Sequence, residues 1–394
     1  MVTMSLRLGE YINMINTKSF FKNLIKYDIG FFSGIPDSLL KNICAYISDN
    51  VDSKNHIIAA NEGNALALGI GYHLASGKLP LIYMQNSGIG NIVNPLLSLA
   101  DPDVYSVPML LMIGWRGEPG VKDEPQHKKQ GRVTLEMLEA MEVPYKILSI
   151  DTSDEQAIEV IKEASNEALK NNAPYAIIVK KGSFSQYKLK KDDTVNLPLF
   201  REDAIKVIVD NLDDKDITVS TTGVASRELF EYRVELKQGH EKDFLTVGGM
   251  GHANQIALGI ALQKPNRRIF CLDGDGAALM HMGSMAINGN IECNNFKHII
   301  FNNGAHDSVG GQPTVGYTTD FQSIARASGY DLVLQAETHE EIVKCIEDLK
   351  AFEGKVFLEV KVKKGFRKDL GRPTTTPKEN KENLMEFIKE CYYE

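Results

Sequence analysis

The stretch RRIFCLDGDGAALMHMGSMAINGNIECNNFKHIIFNNGAHDSVGGQPT, residues 267–314, carries the clearest structural and chemical pattern in the chain. Its apolar run 268–272 predicts a strand that ends at the turn DGDG, residues 273–276, where glycine lets the backbone bend sharply and approach a ligand closely. A helix is predicted next, and then a strand over residues 298–301 that leads into Asn-Asn, residues 302–303. Because parallel strands of an open α/β sheet end at the same edge, we expect the two loops to meet there.

The side chains in these loops are suited to a magnesium ion and a phosphate group. Asp275 and Asn303 offer the carboxylate and amide oxygens that Mg²⁺ prefers, together with phosphate oxygens of a substrate. The helix that begins after the glycines turns free N–H groups toward the same place, which favours phosphate. Asp-Gly and Asn-Gly are also common turn sequences. Two metal-type donors at the ends of successive strands nevertheless indicate a Mg²⁺ and diphosphate site.

The spacing of these residues resembles the thiamine diphosphate motif, with 25 residues between Gly274-Asp275-Gly276 and Asn302-Asn303. The resemblance implies that Mg²⁺ is held by the Asp275 carboxylate, the Asn303 side chain and the backbone carbonyl of Ala305. It also implies cofactor contacts at Gly274, Gly276 and Ala277.

Two further loops in the second half contain candidate cofactor contacts. Thr222, Gly223 and Ser226 lie between a predicted strand and a predicted helix, a position suited to phosphate. Met250 and Gly251 follow the next strand candidate. By resemblance, Met250 is the bulky residue that bends the cofactor into its V shape; a glycine-rich turn with one buried methionine is the alternative.

Enzymes of this family bind the aminopyrimidine ring of the cofactor in a second domain, where a glutamate contacts a ring nitrogen and promotes loss of the thiazolium proton. Glu62 fits that role, because it follows the strand candidate His56–Ala60 and precedes the helical stretch Asn64–Ala75. From the residues alone, Asn61 is a helix cap and Glu62 complements the helix dipole. The resemblance instead makes Glu62 a catalytic residue.

Apolar runs of strand length alternate with amphipathic stretches along the whole chain, as in α/β proteins with parallel sheets. Besides those named above, strand candidates are residues 81–84, 108–113, 146–150, 175–180, 217–221, 244–247, 332–335 and 356–362. We expect two doubly wound parallel-sheet domains of the thiamine diphosphate-binding type and no middle domain. Residues 1–185 form the pyrimidine-binding domain, residues 186–197 a polar linker, and residues 198–394 the diphosphate- and Mg-binding domain with a C-terminal arm.

Three segments narrow the resemblance: GIPDS (residues 34–38), GWRGE (residues 114–118) and DLGRP (residues 369–373). Over nearly the whole chain they resemble the phosphonopyruvate decarboxylases, to which the sulfopyruvate decarboxylases are close relatives. The resemblance implies decarboxylation of 3-phosphonopyruvate to phosphonoacetaldehyde and CO₂ in phosphonate biosynthesis. Decarboxylation of sulfopyruvate is the alternative, since both substrates are 2-keto acids with an anionic head group.

Several side chains are candidates for work on that substrate. Those that would neutralise the head group, unless they are ordinary surface charges, are Arg116, His127, Arg367 and Arg372. Asp37 is a candidate for proton transfer or a helix N-cap, and His306 is a candidate proton relay or a packing residue. Residues 114–132 read as a long irregular loop, which we expect to close over the bound substrate.

Bulk properties limit the possible partners and location. A net charge of −8 over 394 residues argues against general attraction to nucleic acid or to an anionic membrane surface. The five cysteines form no CxxC pair, and the N-terminus contains no signal-like apolar core, so we expect a cytoplasmic protein without disulfides or structural zinc. Cofactor sites in this family commonly lie between subunits, which implies a homodimer or larger assembly.

Three other functions fit the sequence less well. An acetolactate-type carboligase would normally contain a middle domain. A nicotinamide-dependent dehydrogenase would use Gly69-Ile70-Gly71 or Gly88-Ile89-Gly90, but neither completes the GxGxxG fingerprint after an apolar strand. A non-catalytic cofactor-binding protein would not need Glu62.

Overall fold

The computed structural model describes residues 14–190 and 195–389. Most of the N-terminal segment in which no targeting signal was found lies outside these residues, as do Cys391 and part of the expected linker. The chain divides between residues 191 and 192 into two compact units. The division falls inside the segment 186–197, for which a linker is predicted.

The first unit is a parallel six-stranded sheet with flanking helices. Its strands are β1 (Phe31–Gly34), β2 (His56–Ile58), β3 (Pro80–Gln85), β4 (Met109–Gly114), β5 (Tyr145–Leu148) and β6 (Pro174–Val179), in the order β2-β1-β3-β4-β6-β5. Its helices are α1 (Thr17–Lys26), α2 (Lys41–Asn50), α3 (Glu62–Ser76), α4 (Ile89–Pro95), α5 (Pro125–Ala140) and α6 (Asp154–Asn171). A 3₁₀ turn, Asn86–Gly88, precedes α4, and a π-helical turn, Leu96–Ala100, follows it.

The central strands of this unit are apolar along their whole length. Every residue of β4 and β6 is buried, as expected for parallel strands that helices cover on both faces. Helix α6 begins with a capping box between Ser153 and Gln156 and buries Ile161 against the sheet. This arrangement leaves the carboxyl ends of the strands as the place where loops can form a site.

The second unit repeats the architecture. Its strands are β7 (Ile217–Ser220), β8 (Asp243–Leu245), β9 (Ile269–Gly274), β10 (Phe296–Asn302), β11 (Leu332–Ala336) and β12 (Val356–Lys361), in the order β11-β12-β10-β9-β7-β8. Its helices are α7 (Arg201–Asp210), α8 (Val224–Glu235), α9 (Ala253–Gln263), α10 (Asp275–Met280), α11 (Gly283–Asn290), α12 (Phe321–Ser328), α13 (His339–Ala351) and α14 (Pro377–Lys389). Two 3₁₀ turns, Asp307–Val309 and Gly316–Thr318, lie between β10 and α12.

The edge strand β8 is covered by side chains. Asn380 of α14 accepts a hydrogen bond from the Leu245 N–H at 3.0 Å and donates one to the Asp243 carbonyl at 2.8 Å. Arg233 of α8 makes two bonds to the Asp243 carboxylate, 2.9 and 3.0 Å long, and both side chains are buried. The two Asn380 bonds occupy backbone groups that would otherwise be open to pairing with another strand.

The predicted α/β fold with two parallel sheets is confirmed. Each strand candidate from the sequence corresponds to a strand, whereas β1, which lies between β2 and β3, was not singled out. The helix expected after the glycine turn is two shorter helices, α10 and α11.

Two further observations concern the helices and the cysteines. Within residues 14–190 and 195–389, no helix combines the length and the apolar character needed to cross a membrane. Cys44, Cys271, Cys293 and Cys345 are buried free thiols.

Candidate active site

The two predicted metal loops of the second unit follow neighbouring strands. In the register of β9 and β10, Gly274 pairs with Phe301, so Asp275 and Asn302 both lie at the carboxyl edge of the sheet. Gly316 shows how closely their side chains approach, because a Cβ on this glycine would overlap an oxygen of Asp275 and an oxygen of Asn302. The structure therefore brings the two motif halves to one place.

Asp275 is a buried carboxylate without a directly bonded cation among the described residues. Burial raises the pKa of Asp275 to about 6. The hydrogen bond from the Thr314 hydroxyl and the more distant charge of Arg201 act in the opposite direction and lower the pKa. Arg201 is itself bonded to Glu228 and lies 3.6 Å from Asp307. A divalent cation would offset the cost of burying an ionised Asp275, so this environment fits a metal ligand.

The other predicted donors lie in the loop after β10. Asn303 accepts a hydrogen bond from the Ala305 N–H at 3.1 Å and donates one to Asp307 at 2.7 Å. Ala305 pairs with Pro313 in an isolated antiparallel bridge, which closes the loop on itself. A carboxylate, a side-chain amide and a peptide carbonyl form an all-oxygen set, the type that Mg²⁺ takes.

Met250, Gly276 and His306 form one corner of this unit. A Cβ on Gly276 would lie 3.2 Å from Cε of Met250 and 3.2 Å from Cε1 of His306. Burial lowers the pKa of His306 to about 4, so the imidazole is neutral at neutral pH. Gly251 has φ +84°, and a Cβ there would meet the His281 ring and the carbonyl of Ala277. The loop before α9 thus requires glycine for both conformation and space.

The predicted phosphate contacts lie where β7 leads into α8. Gly223, with φ +93°, precedes α8 and provides no side-chain cap, so the first N–H groups of this helix are available to an anion. Thr222 is in the same turn and half-buried. The Ser226 hydroxyl donates to the Thr221 carbonyl at 2.7 Å, which indicates that this side chain stabilises the turn.

In the first unit, Glu62 is the first residue of α3 and is 5% exposed. Asn61 caps the helix, as the residues alone predict, by accepting the Asn64 N–H at 2.9 Å. The Glu62 carboxylate has other contacts: it accepts a hydrogen bond from Asn91 at 2.7 Å and lies against Gly88. Neither contact was foreseen, although Gly88 belongs to a glycine pair considered for a dinucleotide.

Asp37 lies at the carboxyl ends of β1, β3 and β4 and is fully buried. It accepts hydrogen bonds from the Gln85 side chain at 2.7 Å and from the Leu39 N–H at 2.9 Å, and a Cβ on Gly114 would overlap its carboxylate. Burial raises its pKa, and the hydrogen bonds oppose that shift. Asp37 therefore stabilises the turn before α2, and the alternative that it is the N-cap of a helix over Ser38–Tyr46 is wrong, because α2 begins only at Lys41, after Leu40.

The expected long loop is shorter and more tightly held than the sequence suggested. Helix α5 begins at Pro125, so the irregular part spans residues 115–124. Arg116 makes two bonds to Asp123, 2.8 and 2.5 Å long, and one to the Ser38 hydroxyl at 2.8 Å. Burial opposes ionisation of Asp123, but the bonds from Arg116 hold its pKa well below the usual range. Trp115 is buried and donates to the Gly131 carbonyl.

The remaining substrate candidates differ in their surroundings. His127 is buried in the first turn of α5, where burial and the charge of Arg116 lower its pKa, and its Nδ1 has no hydrogen-bond partner among the described residues. In the second unit, Arg367 is paired with Glu202 at 2.9 Å and also with Glu231. Arg372 is exposed.

Comparison with known proteins assigns a family description to each unit. Residues 16–157 match "Thiamine pyrophosphate enzyme, N-terminal TPP binding domain", and residues 223–360 match "Thiamine pyrophosphate enzyme, C-terminal TPP binding domain". The sequence is 32% identical to a phosphonopyruvate decarboxylase of Streptomyces hygroscopicus, with 96% of this chain and 95% of the relative covered. It is also 32% identical to a phosphonopyruvate decarboxylase of Streptomyces viridochromogenes, covering 90% of each chain. A sulfopyruvate decarboxylase of Methanosarcina acetivorans is 25% identical over 84% of this chain and 87% of that protein.

Proposed function

The chain belongs to the phosphonopyruvate decarboxylase family of thiamine pyrophosphate enzymes, and on that basis we propose that it decarboxylates 3-phosphonopyruvate to phosphonoacetaldehyde and CO₂. Thiamine diphosphate and Mg²⁺ are the cofactors of the proposed reaction. Sulfopyruvate is the second candidate substrate, favoured by the similarity to a sulfopyruvate decarboxylase over 84% of the chain.

One observation supports the proposal most directly: each parallel sheet has candidate cofactor-binding residues at its carboxyl edge. The first unit holds the buried Glu62 after β2, and the second holds the oxygen donors Asp275 and Asn303 after β9 and β10. When bound, thiamine diphosphate would supply the nucleophilic carbon and the electron sink for loss of CO₂ from a 2-keto acid.

The second unit would bind the diphosphate end of the cofactor. Asp275, Asn303 and the Ala305 carbonyl would hold Mg²⁺, which in turn binds diphosphate oxygens. The open N-terminus of α8 would donate N–H groups to the same oxygens, with Thr222 and Gly223 in that turn and Ser226 stabilising it. These residues position the cofactor and neutralise its charge.

Several small residues and one large side chain would lie beside the cofactor rings. Gly274, Gly276 and Ala277 keep the start of α10 free of large side chains. Met250 and Gly251 contribute the opposite loop, with the Met250 side chain against Gly276. The methionine would support the bent shape of the cofactor.

Three residues are proposed to handle protons. Glu62 would hydrogen-bond to the aminopyrimidine ring and set its protonation. Asp37, whose pKa burial raises, would retain a proton to higher pH than an exposed aspartate and could donate it near the reacting carbon. His306, neutral at neutral pH, would accept or relay a proton.

The substrate head group would be recognised by cationic or hydrogen-bonding side chains. Arg116 and His127 are proposed for this role in the first unit, where Arg116 already shares its charge with Asp123. Arg367, which is paired with Glu202 and Glu231, and the exposed Arg372 are proposed for the same role in the second unit.

We also propose that the protein forms a homodimer or larger assembly in the cytoplasm, with active sites between subunits. The surface of the first unit around α3 and the π-helical turn exposes several large apolar side chains, namely Leu68, Leu74, Leu97, Leu99, Val104 and Tyr105. Apolar groups collected in one region often mark an interface. Buried free thiols in Cys44, Cys271, Cys293 and Cys345 fit a reducing compartment.

CO₂ release tests the function directly. The purified protein is assayed with phosphonopyruvate, sulfopyruvate and pyruvate, each with and without thiamine diphosphate and Mg²⁺. We expect cofactor-dependent turnover with phosphonopyruvate as the preferred substrate. Turnover that does not depend on the cofactor would overturn the proposal, whereas a preference for sulfopyruvate would overturn the substrate assignment alone.

A further inference from the structure

The Glu62 carboxylate is held from two sides by one short segment of the first unit. Asn91 of α4 donates a hydrogen bond to Oε2 at 2.7 Å. Gly88, in the 3₁₀ turn before α4, lies against Oε1, the carboxyl carbon and Cγ of Glu62. We propose that Asn91 is a positioning residue for Glu62: it fixes Oε2 so that Oε1 is presented to the aminopyrimidine ring. This inference rests on the catalytic role proposed for Glu62.

The segment that provides these contacts has an unusual backbone. Within residues 86–100 it passes from a 3₁₀ turn to α4 and then to a π-helical turn. A 3₁₀ turn is common at the start of an α-helix, whereas π-helical turns are rare and occur often at functional sites. Because a change of helix type alters the direction of the following side chains, the change from the 3₁₀ turn to α4 helps to set where Asn91 points.

The segment is anchored to its surroundings. Asn86 donates hydrogen bonds to the Arg116 carbonyl at 2.8 Å and to the Thr134 hydroxyl at 2.9 Å. At the level of Asn91, α4 lies so close to α3 that a Cβ on Gly63 would be 3.0 Å from the Asn91 carbonyl oxygen. Since both helices are fixed here, the short amide side chain of Asn91 reaches the carboxylate in a defined geometry.

The chemistry of the asparagine side chain suits this task. Its N–H donates to a carboxylate oxygen and adds no charge, whereas an aspartate in its place would repel Glu62. Asn91 is exposed in the single chain, so its side chain contributes little to the core of the unit. If Asn91 had only a structural role, replacing it would leave the proton exchange of the bound cofactor unchanged.

The test measures how fast the acidic ring proton of bound thiamine diphosphate exchanges for deuterium in the full-length protein with Mg²⁺. We expect Asn91→Ala and the isosteric Asn91→Asp to slow the exchange roughly ten- to hundredfold, the equivalent of one hydrogen bond to a charged group. Cofactor affinity, measured by calorimetry, should change far less. Asn94→Ala is the matched control, because Asn94 is an exposed asparagine on the same helix whose side chain bonds to Ser98.

Glu62→Gln separates the two levels of the argument. If it slows the exchange but neither Asn91 variant does, the positioning role of Asn91 is wrong and the proposed function stands. If Glu62→Gln leaves the exchange unchanged, the catalytic role of Glu62 fails and the inference fails with it.

Discussion

Gly88 lies against Glu62 so closely that a Cβ on this glycine would overlap the carboxylate group. Its backbone angles, φ −74° and ψ −11°, are ordinary for a helix, so any residue could adopt them. The requirement for glycine at this position is therefore one of space. That space is occupied by the carboxylate of Glu62, which is proposed to hydrogen-bond to the aminopyrimidine ring.

Gly88→Ala should consequently displace the Glu62 carboxylate and lower the decarboxylation rate about 100-fold, the cost of a misplacement near 1 Å. Gly90→Ala is the control, because a Cβ on Gly90 would meet nothing within 4 Å. Steady-state rates of CO₂ release compare the two variants. Equal activities would show that the carboxylate can shift without consequence.

Loss of a residue that only hydrogen-bonds to a metal ligand lowers metal affinity roughly 10- to 100-fold. Asp275→Asn changes a proposed ligand itself, so it should weaken Mg²⁺ binding by more than that. The reason is that the variant removes the one carboxylate of the proposed donor set. Calorimetric titration with Mg²⁺ in the presence of thiamine diphosphate measures the effect. Asp320→Asn serves as control, since Asp320 caps α12 and asparagine is an equally good cap. Unchanged affinity in Asp275→Asn would place the metal elsewhere.

Arg116→Lys should raise the KM for phosphonopyruvate about tenfold and change kcat little. Lysine keeps the charge, but it cannot make the paired bonds to Asp123 together with the bond to Ser38, and hydrogen bonds of charged groups are worth roughly 1.5–3 kcal/mol. Arg132→Lys, an exposed position on α5, is the matched change. If both variants have the wild-type KM, Arg116 does not shape the substrate site.

Asp243→Ala should lower the free energy of unfolding by about 3–5 kcal/mol, because it leaves the buried charge of Arg233 without its carboxylate partner. Chemical denaturation followed by circular dichroism gives the value. Asp214→Ala is the comparison, since this carboxylate is fully exposed and 3.5 Å from Lys242; surface pairs of this kind contribute little. A similar loss in both variants would contradict the importance of the buried pair.

The fold was accessible from the sequence because its parallel strands are continuous apolar runs. β1 was missed for a physical reason. It has only four residues, FFSG, and its last residue already begins the turn GIPDS. The polar residues before it are typical of the end of a helix and do not mark the start of a strand. The length of the loop after β4 was misjudged because the Pro125 start of α5 was not taken as a helix signal, although proline is favoured in the first helical turn.

The site was accessible only where its residues lie in local motifs. Asp275 and Asn303 belong to a spacing pattern, and Glu62 follows a strand. Asn91 reaches Glu62 across 29 residues of sequence, and Arg367 meets Glu202 across 165. Such contacts depend on how strands and helices pack, so no local sequence pattern predicts them. The same contacts decide how strongly an arginine can attract an anionic substrate, because a carboxylate paired with the guanidinium neutralises part of its charge.

The bridge from Asn380 to β8 has a consequence for synthesis of the chain. The strand is complete at Leu245, yet the side chain that bonds to its N–H is 135 residues further on. At a translation rate of about 5–20 residues per second, a nascent chain waits roughly 7–27 s between the two. During that interval the margin of the second sheet is unprotected, so we expect ribosome-associated chaperones to engage the protein most strongly while residues 246–380 are being made.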